Sequence, residues 1–220
     1  MLTLVKLSKS FGNKIILNEL DFEFKGAHIY GIIGKNGVGK TTLLSCIAGI
    51  EAYSGKIMLD LKHRNVGFLE TIPSTLPLIT AQEYLTLMCV SRKKGTEKIQ
   101  RYNFFNLPLN QYMEEYSIGM KKKLAITALL IQENDIYLLD EPFNGIDIEG
   151  NIIVIEIIKR LKYLDKTVIL SSHILSSLKD ICDTTLLIEN KTIYVVDKPI
   201  DSSCFTIDQN LYNSINSMVF

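Results

Sequence analysis

The 220-residue sequence predicts an α/β protein: a core lobe built on a mixed sheet, interrupted by a helical insert. Three observations carry that prediction. Short apolar, strand-like runs alternate with amphipathic helical stretches at both ends of the chain, the pattern of strands joined by crossover helices. A glycine loop, GKNGVGK, sits between a buried strand and a helix. Residues 72–131 lose the strand signal and read as a Pro-rich loop followed by helices.

In chain order, LTLVKL, IILNEL and FEF alternate apolar and polar residues and predict strands. HIYGIIG (28–34) is apolar enough to be a buried strand, and TTLLSCIAGI after the glycine loop predicts a helix ending near Gly49. GKIMLD and NVGFL predict two short strands. TIPSTLPLIT is a loop, AQEYLTLMCV and EKIQRYNFF are short amphipathic helices, and a further helix follows YSIGM to about Ile131. From DIYLLD (135–140) the β/α alternation resumes, with a helix over Ile152–Leu164, a strand TVILSS, a helix ILSSLKDIC, and strands TLLIE and TIYVV. The last twenty residues show no period and receive no assignment. No internal repeat is visible.

Bulk numbers narrow the function. Lys plus Arg and Asp plus Glu each number 24, so the formal net charge is zero, unlike the basic excess of a nucleic-acid-binding surface. The four cysteines, Cys46, Cys89, Cys182 and Cys204, lie far apart with no CxxC pair, which predicts reduced thiols. MLTLVKLSKS alternates instead of forming the apolar block of a signal peptide. The longest apolar runs, such as IIVI at 152–155, are far shorter than the ~18 residues a membrane span needs. The 47% hydrophobic content predicts a generous core or an apolar docking face.

Gly34-Lys35-Asn36-Gly37-Val38-Gly39-Lys40-Thr41 satisfies GxxxxGK[ST]. The glycines let the backbone wrap phosphates at the mouth of the following helix, where N–H groups lack intrahelical partners. Lys40 is expected at the β and γ phosphates, the Thr41 hydroxyl on Mg²⁺, and Thr42 at the α-phosphate end. Kinases, GTPases and ATPases share such a loop, so the second half of the chain must choose among them. IYLLDEP ends an apolar strand in Asp140 and Glu141. Their side chains would alternate within the strand, but at its end Glu141 turns toward the loop. Asp140 then supports Mg²⁺, and Glu141 polarises an attacking water.

A second anion site is written at residues 116–120, YSIGM, just ahead of the apolar run LAITALLI. Ser117 followed by Gly119 is the mouth of another helix.

Together these residues resemble the nucleotide-binding subunits of ATP-binding-cassette (ABC) transporters, in order and spacing, over about residues 1–196. Ser-Phe-Gly at 10–12 resembles the family's adenine-stacking loop, with Phe11 in place of the usual Tyr; the π face is kept. YSIGM stands where the family has its LSGGQ signature, keeping Ser117 and Gly119 while Tyr116, Ile118 and Met120 depart from it. NGID (144–147) resembles the D-loop SGLD, with Asn144 in the Ser position. His173, in SSH after a strand, matches the switch histidine that contacts the γ-phosphate. The family's Q-loop glutamine is missing: Glu70 or Thr71 takes its place, depending on a one-residue slip. Glu70 could coordinate Mg²⁺ through oxygen, Thr71 only weakly or through water.

The resemblance implies one ABC ATP-binding domain at 1–196, with a core lobe at 1–71 and 132–196 and a helical lobe at about 72–131; residues 197–220 form a tail. It implies ATP and Mg²⁺ as ligands and ATP hydrolysis as the reaction. It further implies a head-to-tail pair of cassettes, in which Ser117 and Gly119 cap the γ-phosphate held by the partner's loop. The expected setting is the inner, cytoplasmic face of a cell membrane, against a separate permease. The YSxGM form points to export. The rival is a soluble ABC-type ATPase serving ribosomes or DNA. Such relatives carry two cassettes in one chain, a long coiled coil or a basic excess, and this sequence has none of them. NKTI (190–193) lacks the Asp of the guanine-reading NKxD, against a GTPase.

Overall fold

The computed structural model describes residues 1–60, 65–172, 178 and 180–196. His173, most of the helix expected over ILSSLKDIC, and the tail lie outside the described residues.

The chain begins with two long antiparallel strands, β1 (Leu2–Phe11) and β2 (Lys14–Phe24), and β4 (Ser54–Leu59) pairs with the other edge of β1 to give the order β2-β1-β4. The pattern IILNEL then FEF reads as two pieces, but both belong to β2. The reason is local. Buried positions run Leu17, Leu20, Phe24, so the period of two breaks between Leu17 and Leu20. Glu19 there has φ 46, and the pairing register shifts between Leu7↔Leu20 and Lys9↔Leu17. A bulge spends one residue and restores the alternation.

The second sheet has six strands in the order β5 (Val66–Leu69), β6 (Ile136–Asp140), β7 (Thr167–Ser171), β3 (Ile29–Ile33), β8 (Thr184–Glu189), β9 (Thr192–Val196). The first five are parallel and β9 is antiparallel to β8, so the sheet is mixed. Every residue of β6 and β7 is buried, as expected for strands covered on both faces.

Period-two alternation divides these strands between two cores. Ile136, Leu138, Ile169, Tyr30 and Ile32 face one side, where they meet β1, β2 and Leu43, Leu44 and Ile47 of α1 (Lys40–Ile47). Tyr137, Leu139, Val168 and Leu170 face the other, against α5 (Ile148–Tyr163) through Val154, Ile157, Ile158 and Leu161. That second core continues into α2 (Ala81–Ser91), α3 (Lys98–Tyr102) and α4 (Ile118–Ile131), through Leu85, Ile99, Tyr102 and Leu124. Each such buried side chain contributes about 1.5–3 kcal/mol of apolar transfer.

Helix ends follow their caps. Thr80 and Glu83 form a reciprocal capping box on α2. Asp147 caps α5 by accepting the Gly150 N–H at 2.9 Å. That cap starts the helix four residues before Ile152, because the first turn, Ile148-Glu149-Gly150-Asn151, carries little of the apolar stripe by which a sequence reveals a helix. Cys46 and Cys89 are buried free thiols, in line with reduced cysteines. Among the described residues no helix is long and apolar enough to cross a membrane.

Candidate nucleotide and catalytic site

The glycine loop leaves β3 and enters α1 at the edge of a cavity of about 390 Å³. Gly39 is the N-cap residue with φ 117, a conformation that favours glycine, and a Cβ there would press on Ile16 and Leu17 at 3.0 Å. Glycine has no side chain to cap with, and none caps this helix. Its first-turn N–H groups are therefore left for an anion, in contrast to α2, α4 and α5, which are capped by side chains. Lys40 is nearly buried, and its ammonium donates to the loop's own carbonyls, Gly34 O at 2.9 Å and Lys35 O at 3.4 Å. Asn36, Gly37, Thr41 and Thr42 line the same cavity, and Gly34, Lys35 and Val38 complete the loop.

Across the cavity stands the end of β6. Asp140 is fully buried; its Oδ2 accepts the Thr41 hydroxyl at 2.7 Å and its Oδ1 accepts the Ser171 hydroxyl at 2.5 Å. The Thr71 hydroxyl also donates to Oδ2. Of the two candidates at positions 70 and 71, Thr71 joins the Asp140–Thr41 group, and Glu70 does not. Glu70 points the other way, accepting from Ser74 at 3.2 Å and lining a groove of about 250 Å³ with Phe68, Pro73 and Tyr84. The strand parity of Phe68 and Leu69 sends neighbouring residues to opposite sides.

Glu141 lines the phosphate cavity, as does Asn144. Its backbone sits at φ 48, off the strand, which is what turns its side chain from the sheet toward the loop. The Glu141 N–H donates to Ser171 Oγ at 3.0 Å, and the Glu141 carbonyl accepts the Lys122 ammonium at 2.8 Å. Ser171 and Lys122 were not singled out by sequence reasoning. Lys122 had one signal: it heads the row Lys122, Ile126, Leu130, spaced by four, whose other members are apolar.

The remaining expected residues lie apart from this cavity. Phe11, at the end of β1, is 49% exposed, with the Lys9 ammonium 4.5 Å from its ring centre. Ser117 is the N-cap of α4, its hydroxyl accepting the Met120 N–H at 3.2 Å, while Tyr116 is buried and donates to the Pro108 carbonyl at 2.9 Å. Ser117 and Ile118 are exposed. Gly119 has a reason within the chain itself: a Cβ would lie 2.3 Å from the Gly145 carbonyl oxygen. The signature turn is packed against the D-loop turn by backbone contact.

A phosphate-wrapping loop at an uncapped helix, a hydroxyl–carboxylate pair of hard oxygens, and a second carboxylate just past the end of β6, two strands away in the sheet, are the parts of a P-loop ATPase. Residues 17–144 match the family described as ABC transporter, and the chain belongs to it. Over 230 residues the chain is 28% identical to the lantibiotic transport ATP-binding protein SrtF of Streptococcus pyogenes, covering 100% of this chain and 97% of that protein. It is 27% identical over 203 residues to the Nod factor export ATP-binding protein I of Rhizobium leguminosarum bv. viciae, covering 84% of this chain and 65% of that protein. Among solved structures, a dimeric post-hydrolysis ATP-binding cassette bound to ADP and Pi has the same fold, with a TM-score of 0.81 at 20% identity over 90% of this chain and 98% of that one. The chain is an ATP-binding and ATP-hydrolysing cassette.

Proposed function

We propose that this cassette drives an exporter whose membrane-spanning part is a separate permease. The observation behind this reading is the unequal finish of its two helix mouths. Among the described residues the phosphate cavity is faced by the chain's own Thr71 and Glu141, whereas Ser117 and Ile118 of the signature turn are exposed, its Gly119 resting on the Gly145 turn. A head-to-tail pair of cassettes matches each to the other. ATP closes the pair, hydrolysis and release open it, and the motion passes to the permease.

In each site Lys40 and the α1 N–H groups hold the phosphates, and Phe11 stacks on the base. Thr41 and Asp140, with Thr71 beside them, are the oxygens that fit Mg²⁺, which would offset phosphate charge there. Glu141 polarises the attacking water. Ser117 and Gly119 serve the partner's γ-phosphate. His173 keeps its role at that phosphate by position in the sequence, following Ser172.

The working unit is one domain over residues 1–196, with the lobes divided near residues 71 and 131. Export is supported by the YSIGM form and by the relatives named for lantibiotic transport and Nod factor export. The loop and helix after Glu70 supply a docking face: Ile72, Leu76, Leu78, Leu87 and Val90 on them are exposed apolar residues, and Pro73 and Tyr84 line a groove with Glu70. That face supports a peripheral position on the inner, cytoplasmic side of a membrane, and the zero net charge speaks against a nucleic-acid partner.

Affinity purification of the full chain from solubilised membranes, with mass spectrometry of what accompanies it, tests the assignment. A partner with several apolar spans of ~20 residues is expected. Enrichment of ribosomal proteins or DNA, with no membrane protein, would overturn it.

A further inference from the structure

Lys122 breaks the rule that lysines stay solvated. It is 0% exposed, on the buried row of α4 with Ile126 and Leu130. Among the described residues it makes no ion pair; its ammonium donates at 2.8 Å to the carbonyl oxygen of Glu141. Burial pushes its pKa below the usual lysine range, with Asp140 and Glu141 pulling the other way. An ammonium taken out of water is expensive, and a methionine would fill the same space without that cost.

What the ammonium grips is a strained piece of backbone. Glu141 sits at φ 48, a left-handed conformation that side chains with a Cβ rarely adopt. Its N–H is held by Ser171 Oγ at 3.0 Å, and its carbonyl by both Lys122 and the Asn144 N–H at 3.2 Å. Such a conformation persists where the surroundings over-determine it. Two of these bonds come from the sheet and its own turn. The third comes from α4, the helix whose first turn is the signature, with Ile118 one turn, about 6 Å, from Lys122 along the axis.

We propose that Lys122 is a positioning residue for hydrolysis: from α4 it holds the main chain of Glu141 so that the carboxylate stays at the phosphate end of the cavity. This rests on the reading of Glu141 as the group that polarises water. The bond makes one rigid helix responsible both for meeting the partner's nucleotide and for presenting the chain's own base.

The test uses the full chain with Mg-ATP, measuring kcat, KM, binding of a fluorescent ATP analogue and thermal melting. Lys122→Met keeps the volume and removes the donor. Its kcat should fall about 10- to 100-fold, as for a misplaced catalytic group, while KM and analogue binding stay within about twofold. Its melting temperature should not fall, because replacing a buried charge with an apolar group of similar volume is often neutral or stabilising. Lys122→Gln, which restores an N–H donor, should recover most of the rate. In the Glu141→Gln background, Lys122→Met should cost no further rate, about twofold at most, because both changes act through one group. Full turnover of Lys122→Met overturns the inference, as does a loss that multiplies undiminished onto Glu141→Gln. A rate loss matched by lost binding and a lowered melting temperature would make the residue merely structural and also overturn it. Should Lys122→Met not fold, Lys122→Gln decides: kcat within about threefold of wild type supports the bond, and a loss as deep as that of Glu141→Gln refutes it. Unchanged turnover of Glu141→Gln itself would instead remove the reading of the base on which all this rests.

Discussion

The helix mouth at Gly39 and the helix mouth at Ser117 both present a small residue and glycine ahead of an apolar helix, yet they are finished in opposite ways. At Gly39 no side chain caps the helix, and the open N–H groups face a cavity that the chain furnishes itself, with Lys40, Thr41, Asp140 and Glu141. At Ser117 the hydroxyl accepts the Met120 N–H, and the turn faces outward with Ile118 62% exposed. The first mouth is built to hold an anion with groups from its own chain. The second is closed by the chain's own serine, and on the proposed reading another cassette brings the anion to it. A helix N-terminus alone does not tell these apart; its capping and what stands opposite do.

The comparison can be broken first at its catalytic side. Glu141→Gln should cut hydrolysis by about a hundredfold or more, the scale of a lost general base, while leaving ATP binding intact. Steady-state turnover beside equilibrium titration checks both halves; an unchanged rate would mean that the cavity's chemistry lies elsewhere. Lys40→Ala comes next. It removes charge-assisted bonds worth about 1.5–3 kcal/mol, so affinity for a fluorescent ATP analogue should fall about 10- to 100-fold. Equal affinity would strip the Gly39 mouth of its assigned ligand.

On the outward side the effects should be smaller and structural. Gly119→Ala drives a Cβ against the Gly145 carbonyl, 2.3 Å away, and overpacking of that kind costs about 1–3 kcal/mol. Denaturant melts should show it with nucleotide absent. Unaltered stability would mean that the two turns separate freely. For the same reason a carboxylate at Gly119 is a poor probe of the interface, because it damages its own chain first.

Asp147, which caps α5 beside that turn, sharpens the point with pH. Its hydrogen bond from Lys123, at 3.0 Å, and that from the Gly150 N–H hold its carboxyl below the usual value of 3.8. A depressed carboxyl stabilises the fold above the unfolded pKa, and that contribution is lost as pH falls through the folded value. Asp147→Ala should therefore cost about 1 kcal/mol near neutrality, and the difference from wild type should shrink below about pH 4. Melting curves across that range test the sign; a gap that widens in acid would contradict it.

How much of this was legible in the sequence follows from how local each feature is. The phosphate loop is a run of eight consecutive residues whose backbone demands glycine, so it reads directly. The Asp140–Glu141 pair reads nearly as well, because a strand that stops in two acids leaves few places for them. The choice between Glu70 and Thr71 was not legible: in a strand, parity decides which side chain faces the site, and a one-residue slip reverses it. β2 was split in two because the bulge at Glu19 interrupts the alternation by which strands are read. Lys122 was hidden by its chemistry, since the second of three consecutive lysines looks solvated until Leu124, Ile126 and Leu130 are known to be buried on the same helix. From the sequence Gly119 has only a part in capping a partner's phosphate, and its closeness to Gly145 joins residues that only the fold brings together.

The central claim is that the YSIGM turn faces the nucleotide of a second cassette. Ile118 offers the direct test, because it is exposed and opens α4, where a carboxylate is favourable to the helix itself. Ile118→Glu should leave folding and monomeric ATP binding unchanged while placing a negative charge against the partner's phosphates, at a cost of several kcal/mol in a dry interface. Light scattering of the Glu141→Gln chain with ATP, with and without Ile118→Glu, reads the outcome. The account predicts a nucleotide-dependent dimer for Glu141→Gln and a monomer that still binds ATP once Ile118→Glu is added. A dimer of equal stability in both would contradict it.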